Sequence, residues 1–297
     1  MACFKPLQAW QLETGEVVFA ERGRVSRALT LPCGQCIGCR LERSRQWAIR
    51  CMHESQLHDF SSFVTLTYSD DHLPEDHSLR YLDYQLFMKR LRKHFTAKRI
   101  RFYMCGEYGE GTSRPHYHAC LFNAFFVDRR KIGELPSGST LYTSEVLEDI
   151  WGLGNVSIGD VTFESAAYVA RYICKKVTGP GADGHYEIMD PITGVIYSRV
   201  PEFSRMSLKP GIGHDWFARY RKEVYPLDRV VIRGMEMKPP KYYDKLLELE
   251  SNFLSDDLAF SRYETAMRRS GDNTPDRLAV REACTRARLN FKVRSLE

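Results

Sequence analysis

Between residues 60 and 178 the chain switches repeatedly between two hydrophobic periods, and that alternation restricts the fold more than any other feature. Phe63-Val-Thr-Leu-Thr-Tyr68 is a β-branched and aromatic run that predicts a strand. From Tyr81 to Phe95, Leu82, Leu86, Leu91 and Phe95 recur among charges at helical spacing. Ile100 to Cys105 predicts a second strand, ending in the turn Gly106-Glu-Tyr-Gly-Glu-Gly111, and His116 to Phe122 a third, after Pro115. A helix over Glu145 to Trp151 follows, then a strand over Asn155 to Phe163 interrupted at Gly159-Asp160. Glu164 to Val177 reads as a helix stopped by Gly179-Pro180. Strands and helices mixed in this order predict an α+β fold, a central antiparallel sheet flanked by helices.

The flanks divide the chain into three expected segments. Residues 1–58 form a cysteine-rich segment followed by a basic helix over about 41–56, with Arg43, Arg45 and Arg50 around Trp47. Residues 59–235 hold the α+β domain, within which 179–198, rich in Gly, Pro and Asp, reads as a long surface loop and Trp216 marks a short helix. After Pro239-Pro240 comes a helical tail, 236–297 in all, with helices over about 241–269 and 275–292. Hydrophobic residues at 43% argue against disorder, and no apolar run reaches the ~20 residues of a membrane span. The first twelve residues lack the apolar core of a secretory signal, so a soluble, intracellular protein without a membrane partner is expected. The balance of 43 Lys and Arg against 38 Asp and Glu, net +5, permits a polyanionic partner without requiring one.

Nine cysteines with no regular pairing do not describe a secreted disulfide scaffold. Cys33-Gly-Gln-Cys36-Ile-Gly-Cys39 places three thiols within seven residues, and Cys3 is the natural fourth for a tetrahedral zinc site, with Cys51 or His53 as substitutes. Structural Zn²⁺ there would pin a segment too small to bury much apolar surface; the alternative is a set of unrelated reduced thiols.

His116-Tyr117-His118 is the most informative short motif. Side chains two apart on a strand share a face, so both imidazoles can converge on one cation. If the histidine strand pairs with the one before it, Glu107, in the glycine turn at the end of that preceding strand, comes beside them. Two imidazoles and one carboxylate with open positions suit Mg²⁺ or Mn²⁺ better than a closed zinc site. The ordinary alternative is two half-exposed histidines and a solvated turn glutamate. Downstream, Tyr168, Tyr172 and Lys175 fall on one face of the 164–177 helix. Phenols near an ammonium and a cation could act as nucleophiles, or could be core aromatics beside a snorkelling lysine.

These motifs resemble, in type and in order, the HUH endonucleases that initiate rolling-circle replication. Phe63 to Tyr68 is similar to their first motif, Gly106-Glu-Tyr-Gly to their acidic turn, and Tyr-x-x-x-Tyr to the two-tyrosine class of single-stranded DNA phages. Pro32 to Cys39 further resembles the initiators of gokushovirus-type microviruses, and the likeness extends over roughly 1–225. The resemblance implies an HUH/RRM-like fold, a divalent cation on His116, His118 and, less directly, Glu107, and nucleophilic roles for Tyr168 and Tyr172. It gives Lys175 the orientation of the phosphate. It further implies origin-specific nicking of single-stranded DNA, a 5′-phosphotyrosine adduct and later religation, in the cytoplasm of a bacterial host. No Gly-x-x-x-x-Gly-Lys-[Ser/Thr] occurs, so a host helicase, with a host polymerase, is the expected partner.

A non-catalytic zinc-containing DNA-binding protein, a water-activating metal hydrolase, and a relaxase or transposase of the same chemistry are the competing readings. Lys89, Arg90, Arg92, Lys93, Lys98, Arg99 and Arg101, with no acid among them, form the densest charge block; they could follow a DNA backbone or form a solvated helix face. Phe102, Tyr103, Tyr108 and Tyr117 could stack on unpaired bases or line the sheet interior. Origin sequence, order of tyrosine attack and oligomeric state are not written in the sequence.

Overall fold

A computed structural model of the protein describes residues 3–96, 98–109, 111–135, 138–172, 177, 182–189 and 194–290. The chain forms two compact units, one of residues 1–45 with 241–294 and one built on 46–240.

In the first unit, β1 (Leu7–Leu12), β2 (Val17–Val18) and β3 (Val25–Leu31) form an antiparallel sheet in the order β2-β1-β3. Its side chains are nearly all exposed or half-exposed, only Ala9 and Val18 being buried, so the sheet buries little apolar surface of its own. The helix α1 (Ile37–Ser55) begins here and ends in the second unit.

The second unit is built on β4 (Ser61–Thr67), α2 (Tyr81–His94), β5 (Arg101–Tyr108), β6 (Pro115–Phe122), β7 (Arg130–Glu134), β8 (Thr140–Thr143), α3 (Glu145–Trp151), β9 (Val156–Asp160) and α4 (Phe163–Tyr172). Beyond them lie α5 (Ala182–Tyr186), β10 (Glu187–Met189), β11 (Ile196–Ser198), β12 (Phe203–Met206), α6 (His214–Val224), β13 (Val230–Ile232) and β14 (Met235–Met237). The tail of the first unit carries α7 (Lys241–Glu250), α8 (Asn252–Arg268) and α9 (Pro275–Asn290); Ser251 caps α8 by accepting from the Leu254 N–H, and Asp244 pairs with Arg262 at 2.8 Å. Among the described residues no helix is long and apolar enough to cross a membrane.

The second unit is organised by a seven-stranded antiparallel sheet in the order β12-β5-β6-β4-β9-β8-β7. Strand alternation separates its two faces. Val64, Leu66, Phe102, Met104, Tyr117, Ala119 and Leu121 point to one side, where Tyr84, Phe87, Met88 and Leu91 of α2 and Leu147, Ile150 and Trp151 of α3 cover them. Tyr103, Cys105, Cys120 and Phe122 point to the other, against Ala48 and Cys51 of α1 and Ala166, Val169 and Ala170 of α4. The expected α+β fold is therefore present, and the strand β6, nearly continuous in apolar residues, is buried on both faces because it lies inside the sheet.

Three local features depart from the sequence-based expectation. The strand β5 runs to Tyr108, past the glycine at which a turn was expected. A Cβ on Gly106 would meet Leu79, Tyr117 and Phe203 at 3.0–3.3 Å, so the glycine serves close packing within a strand rather than a turn. The segment 179–198 is not wholly a loop: it holds α5 and the hairpin β10–β11, and Tyr186 is buried with its hydroxyl donating to Glu202 at 2.6 Å. The strands β1–β3, β7, β8 and β12–β14 were not anticipated; they are short or half-exposed and carry no clean alternation. Gly154, by contrast, is required where it stands: at φ +148° a Cβ would sit 2.3 Å from the Ser69 nitrogen, where the Thr67 and Ser69 N–H groups donate to the Asn155 and Leu153 carbonyls.

Candidate functional site

Register builds the site. In the β5–β6 ladder Glu107 lies directly opposite His116, and His118 opposite Cys105; in the β4–β6 ladder Thr65 lies opposite His118. Glu107, His116, His118 and Thr65 therefore share the face covered by α1 and α4. One oxygen of Glu107, Oε1, lies 2.8 Å from Nε2 of His116 and 2.8 Å from Nε2 of His118. The imidazole rings meet edge to face with centroids 4.9 Å apart. Glu107 is 2% exposed, and its second oxygen, Oε2, has no hydrogen-bond partner among the described residues.

Outer contacts orient both rings. His116 Nδ1 lies 3.1 Å from the Arg114 carbonyl, which fixes the ring with Nε2 turned toward the carboxylate. His118 Nδ1 lies 2.9 Å from the Thr65 hydroxyl, with Nε2 again turned toward the carboxylate. Phe63 stacks on His118 at 5.6 Å. Two aligned Nε2 atoms, a buried carboxylate and its unpartnered oxygen, all within 4.8 Å, form a donor set that fits one hard divalent cation with positions left open.

Tyr168, on α4, packs its ring edge-on against His118 with centroids 5.2 Å apart, so one predicted nucleophile borders the imidazole pair. The backbone of Tyr172 closes the same helix one turn later. Lys175 lies outside the described residues.

A second donor set is separate in kind. Cys3, Cys33, Cys36 and Cys39 bring four Sγ atoms within 4.8 Å of one another, Cys3 lying 3.6 Å from Cys33 and 3.8 Å from Cys36. Sulfurs bound to a tetrahedral ion at ~2.3 Å stand about 3.8 Å apart, so the spacing fits zinc. Backbone N–H groups of Phe4, Cys33 and Cys36 donate to these sulfurs at 3.2–3.3 Å. Burial pushes the Cys36 thiol up, but backbone N–H groups and the neighbouring thiols outweigh it and bring it down to about 6. The substitutes considered for the fourth position are committed elsewhere: Cys51 is buried among the α1–α4 core, and His53 stacks on Trp216 at 3.4 Å.

The basic block, weighed as a DNA track or a solvated helix face, is divided by the fold. Lys89, Arg90, Arg92 and Lys93 sit on α2, which covers the opposite face of the sheet. Arg90 donates to the Ile150 and Trp151 carbonyls at 2.6 Å, tying down the end of α3, and Arg99 donates to the Lys209 carbonyl. Arg101 is not a DNA contact: it is buried, paired with buried Glu54, and donates to the Pro210 and Gly211 carbonyls at 3.0 Å. An arginine opening an interior strand is drawn inward by the core around it, a context the charge run does not reveal. Of the aromatics weighed as base platforms, Phe102, Tyr103 and Tyr117 are buried and Tyr108 is half-buried, which is the sheet-interior alternative. The sequence reading missed Thr65; only the β4–β6 register distinguishes it from Thr67 as the partner of His118.

An antiparallel sheet with a paired-histidine strand, an adjacent carboxylate and a tyrosine helix against them is the arrangement that the resemblance to rolling-circle replication initiators implies. A family model for replication-associated proteins of the ORF2 type matches residues 61–177. The chain is 36% identical to the replication-associated protein VP4 of Bdellovibrio phage phiMH2K, covering 82% of this chain and 76% of that protein. It is 34% identical to the replication-associated protein ORF2 of Spiroplasma virus 4, covering 84% and 81%, and 29% identical to ORF4 of Chlamydia phage 1, covering 80% and 58%. The chain belongs to this family, the replication-associated proteins of microviruses that initiate rolling-circle replication. No solved structure matches it.

Proposed function

We propose that the chain is a site-specific endonuclease and strand transferase that nicks single-stranded DNA at a replication origin and later rejoins it. The observation that carries this reading is the Tyr168 ring standing against His118, whose Nε2 shares Glu107 Oε1 with His116. A Mg²⁺ or Mn²⁺ ion held by His116, His118 and Glu107 would supply Lewis-acid polarisation of the scissile phosphate.

The chain's own residues supply the rest. The hydroxyl of Tyr168 attacks phosphorus; a tyrosyl O–P bond forms and the bond from phosphorus to the 3′ oxygen breaks. The phenolic proton passes to solvent, the leaving 3′ oxygen takes one from solvent to become a free hydroxyl, and the 5′ phosphate stays on the tyrosine. The diester energy is retained in that linkage, so a 3′-hydroxyl attacking it reverses the step without ATP. Tyr172, one helical turn along, provides a second nucleophile so that nicking and joining alternate, and Lys175 steadies the phosphate. Zn²⁺ on Cys3, Cys33, Cys36 and Cys39 is structural in this reading. Strand separation and synthesis fall to a host helicase and polymerase in the bacterial cytoplasm.

The test is incubation of the protein with single-stranded viral DNA and Mn²⁺, followed by denaturing electrophoresis. A band resistant to denaturation, lost when Tyr168→Phe and Tyr172→Phe are combined, is the expected result. Nicked DNA without an adduct would replace the tyrosine step with water-mediated hydrolysis, and binding without cleavage would leave a DNA-binding protein. An adduct that persists in the double variant would move the nucleophile elsewhere.

A further inference from the structure

At the end of the sheet remote from the imidazole pair, aromatic rings and cations alternate along an exposed edge. Phe60, just before β4, is 44% exposed. Its ring meets Phe125 at 4.7 Å, and the Lys98 ammonium lies 5.4 Å from its centroid. Beyond Phe125, the Arg129 guanidinium lies between two rings, 4.6 Å from the Phe125 centroid and 4.7 Å from that of Tyr142.

The neighbouring charges do not account for Arg129. Asp128 accepts from the Ser144 hydroxyl at 2.7 Å and the Val146 N–H at 3.0 Å; Glu145 pairs with Arg130, and Glu134 with Lys131. Asp59, exposed, lies 4.0 Å from Lys98. Among the described residues, Arg129 has ring contacts and no side-chain hydrogen bond or ion pair. Its planar fork is thus held in place by aromatic packing with its N–H edge available, the form of arginine that takes a phosphate two oxygens at a time.

We propose that Phe60, Phe125 and Arg129, with Lys98, form a second contact for single-stranded DNA, distinct from the nicking centre. An unpaired base stacks on Phe60, Arg129 grips an adjoining backbone phosphate, and Lys98 swings on its flexible stem to a neighbouring one. Duplex DNA is disfavoured because its base faces are already stacked on one another, whereas a single strand offers both π-face and phosphate to such a platform. From the Ser61↔Phe122 pair to the Thr67↔His116 pair is six residues, or about 20 Å of strand. The edge therefore holds a tract beyond the scissile bond rather than the bond itself. This inference rests on the proposed action on a DNA strand and adds where that strand is held.

The test is fluorescence anisotropy with labelled oligothymidylates of about 10 and about 30 nucleotides and with a duplex of the longer length, comparing wild type with Phe60→Leu/Arg129→Lys. These changes keep apolar bulk and positive charge while removing the exposed ring and the planar fork, and equal thermal unfolding midpoints establish that the variant is folded. The expected result is about tenfold weaker binding of the long single strand, about 1.4 kcal/mol and the size of one lost stacking contact, with duplex binding unchanged. Equal affinity of folded wild type and variant for the long strand would overturn the proposal, as would an equal loss on the duplex, which would reduce the edge to nonspecific charge. Adduct formation by the wild type, measured separately, keeps the two readings distinguishable. A variant with the expected loss on the long single strand, in a wild type that forms no adduct, would discard nicking and retain this contact.

Discussion

The two donor sets of this protein differ in composition, and the difference follows from what surrounds each. The four sulfurs of Cys3, Cys33, Cys36 and Cys39 close a tetrahedron in a unit whose sheet is largely exposed, so an ion there would substitute for a hydrophobic core. Glu107, His116 and His118 lie on a seven-stranded sheet already buried on both faces, which needs no ion to hold together. With three donors instead of four, that set would leave coordination positions open on a divalent ion, as the proposed chemistry requires. Soft closed sites hold chains; hard open ones do chemistry.

The sharpest way to break this contrast is to remove an imidazole. His118→Ala is expected to reduce Mn²⁺-dependent adduct formation by about a thousandfold or more, the weight of a lost Lewis-acid ligand. The thermal midpoint should fall little; a large collapse of stability instead would make the open centre structural. Next in size is metal removal from the cysteines. Elemental analysis should find one zinc per chain, and Cys36→Ser should render residues 1–45 protease-sensitive while Mn²⁺ binding at the histidines, followed by electron paramagnetic resonance, persists. Loss of both together would show one centre rather than two.

A smaller effect tests whether the sheet unit is self-sufficient. Burial pushes the Glu54 carboxyl up, but His58, the Gly213 N–H and Arg101 outweigh it and hold it below the ordinary carboxylate range. A depressed folded value adds stability that is complete above the ordinary carboxylate pKa and drains away as pH falls through the folded one. Glu54→Gln should therefore destabilise the unit by about 3–5 kcal/mol at neutral pH, because it strands the Arg101 charge, and should flatten the acid limb of the stability curve. An unchanged acid limb would reject the pair as a source of stability. The mildest change is Thr65→Val, which removes the hydroxyl 2.9 Å from His118 Nδ1 and should weaken Mn²⁺ binding by about tenfold, with Thr65→Ser restoring it. Equal Mn²⁺ affinity in all three proteins would show that packing alone orients the ring.

Much of the sheet domain was readable because its signals are local. Phe63 to Thr67 alternates as a strand must, and the ends of α2 and α3 fall within a residue or two of expectation, although the buried stripe of α2 is Tyr84, Phe87, Met88 and Leu91 while Leu82 and Leu86 are exposed. The hairpin β10–β11 and the N-terminal strands were missed because pairing, not composition, makes them strands. Arg101 misled for a related reason: a run of cations on paper divides between an exposed helix face and a buried strand once the chain folds.

By itself the sequence determined which chemical groups are present and how near they lie along the chain: two histidines on one face of a strand, three clustered thiols, two tyrosines one helical turn apart. Which distant group joins each set was decided only by tertiary structure. Cys3 completes the sulfur tetrahedron across thirty residues, Glu107 turns inward opposite His116, and Thr65 rather than Thr67 meets His118. The physical reason is that strand register has a period of two residues, so a slip of one would send every one of these strand side chains to the other face. Register is chosen by burial of the whole sheet, a quantity that no local stretch of sequence contains.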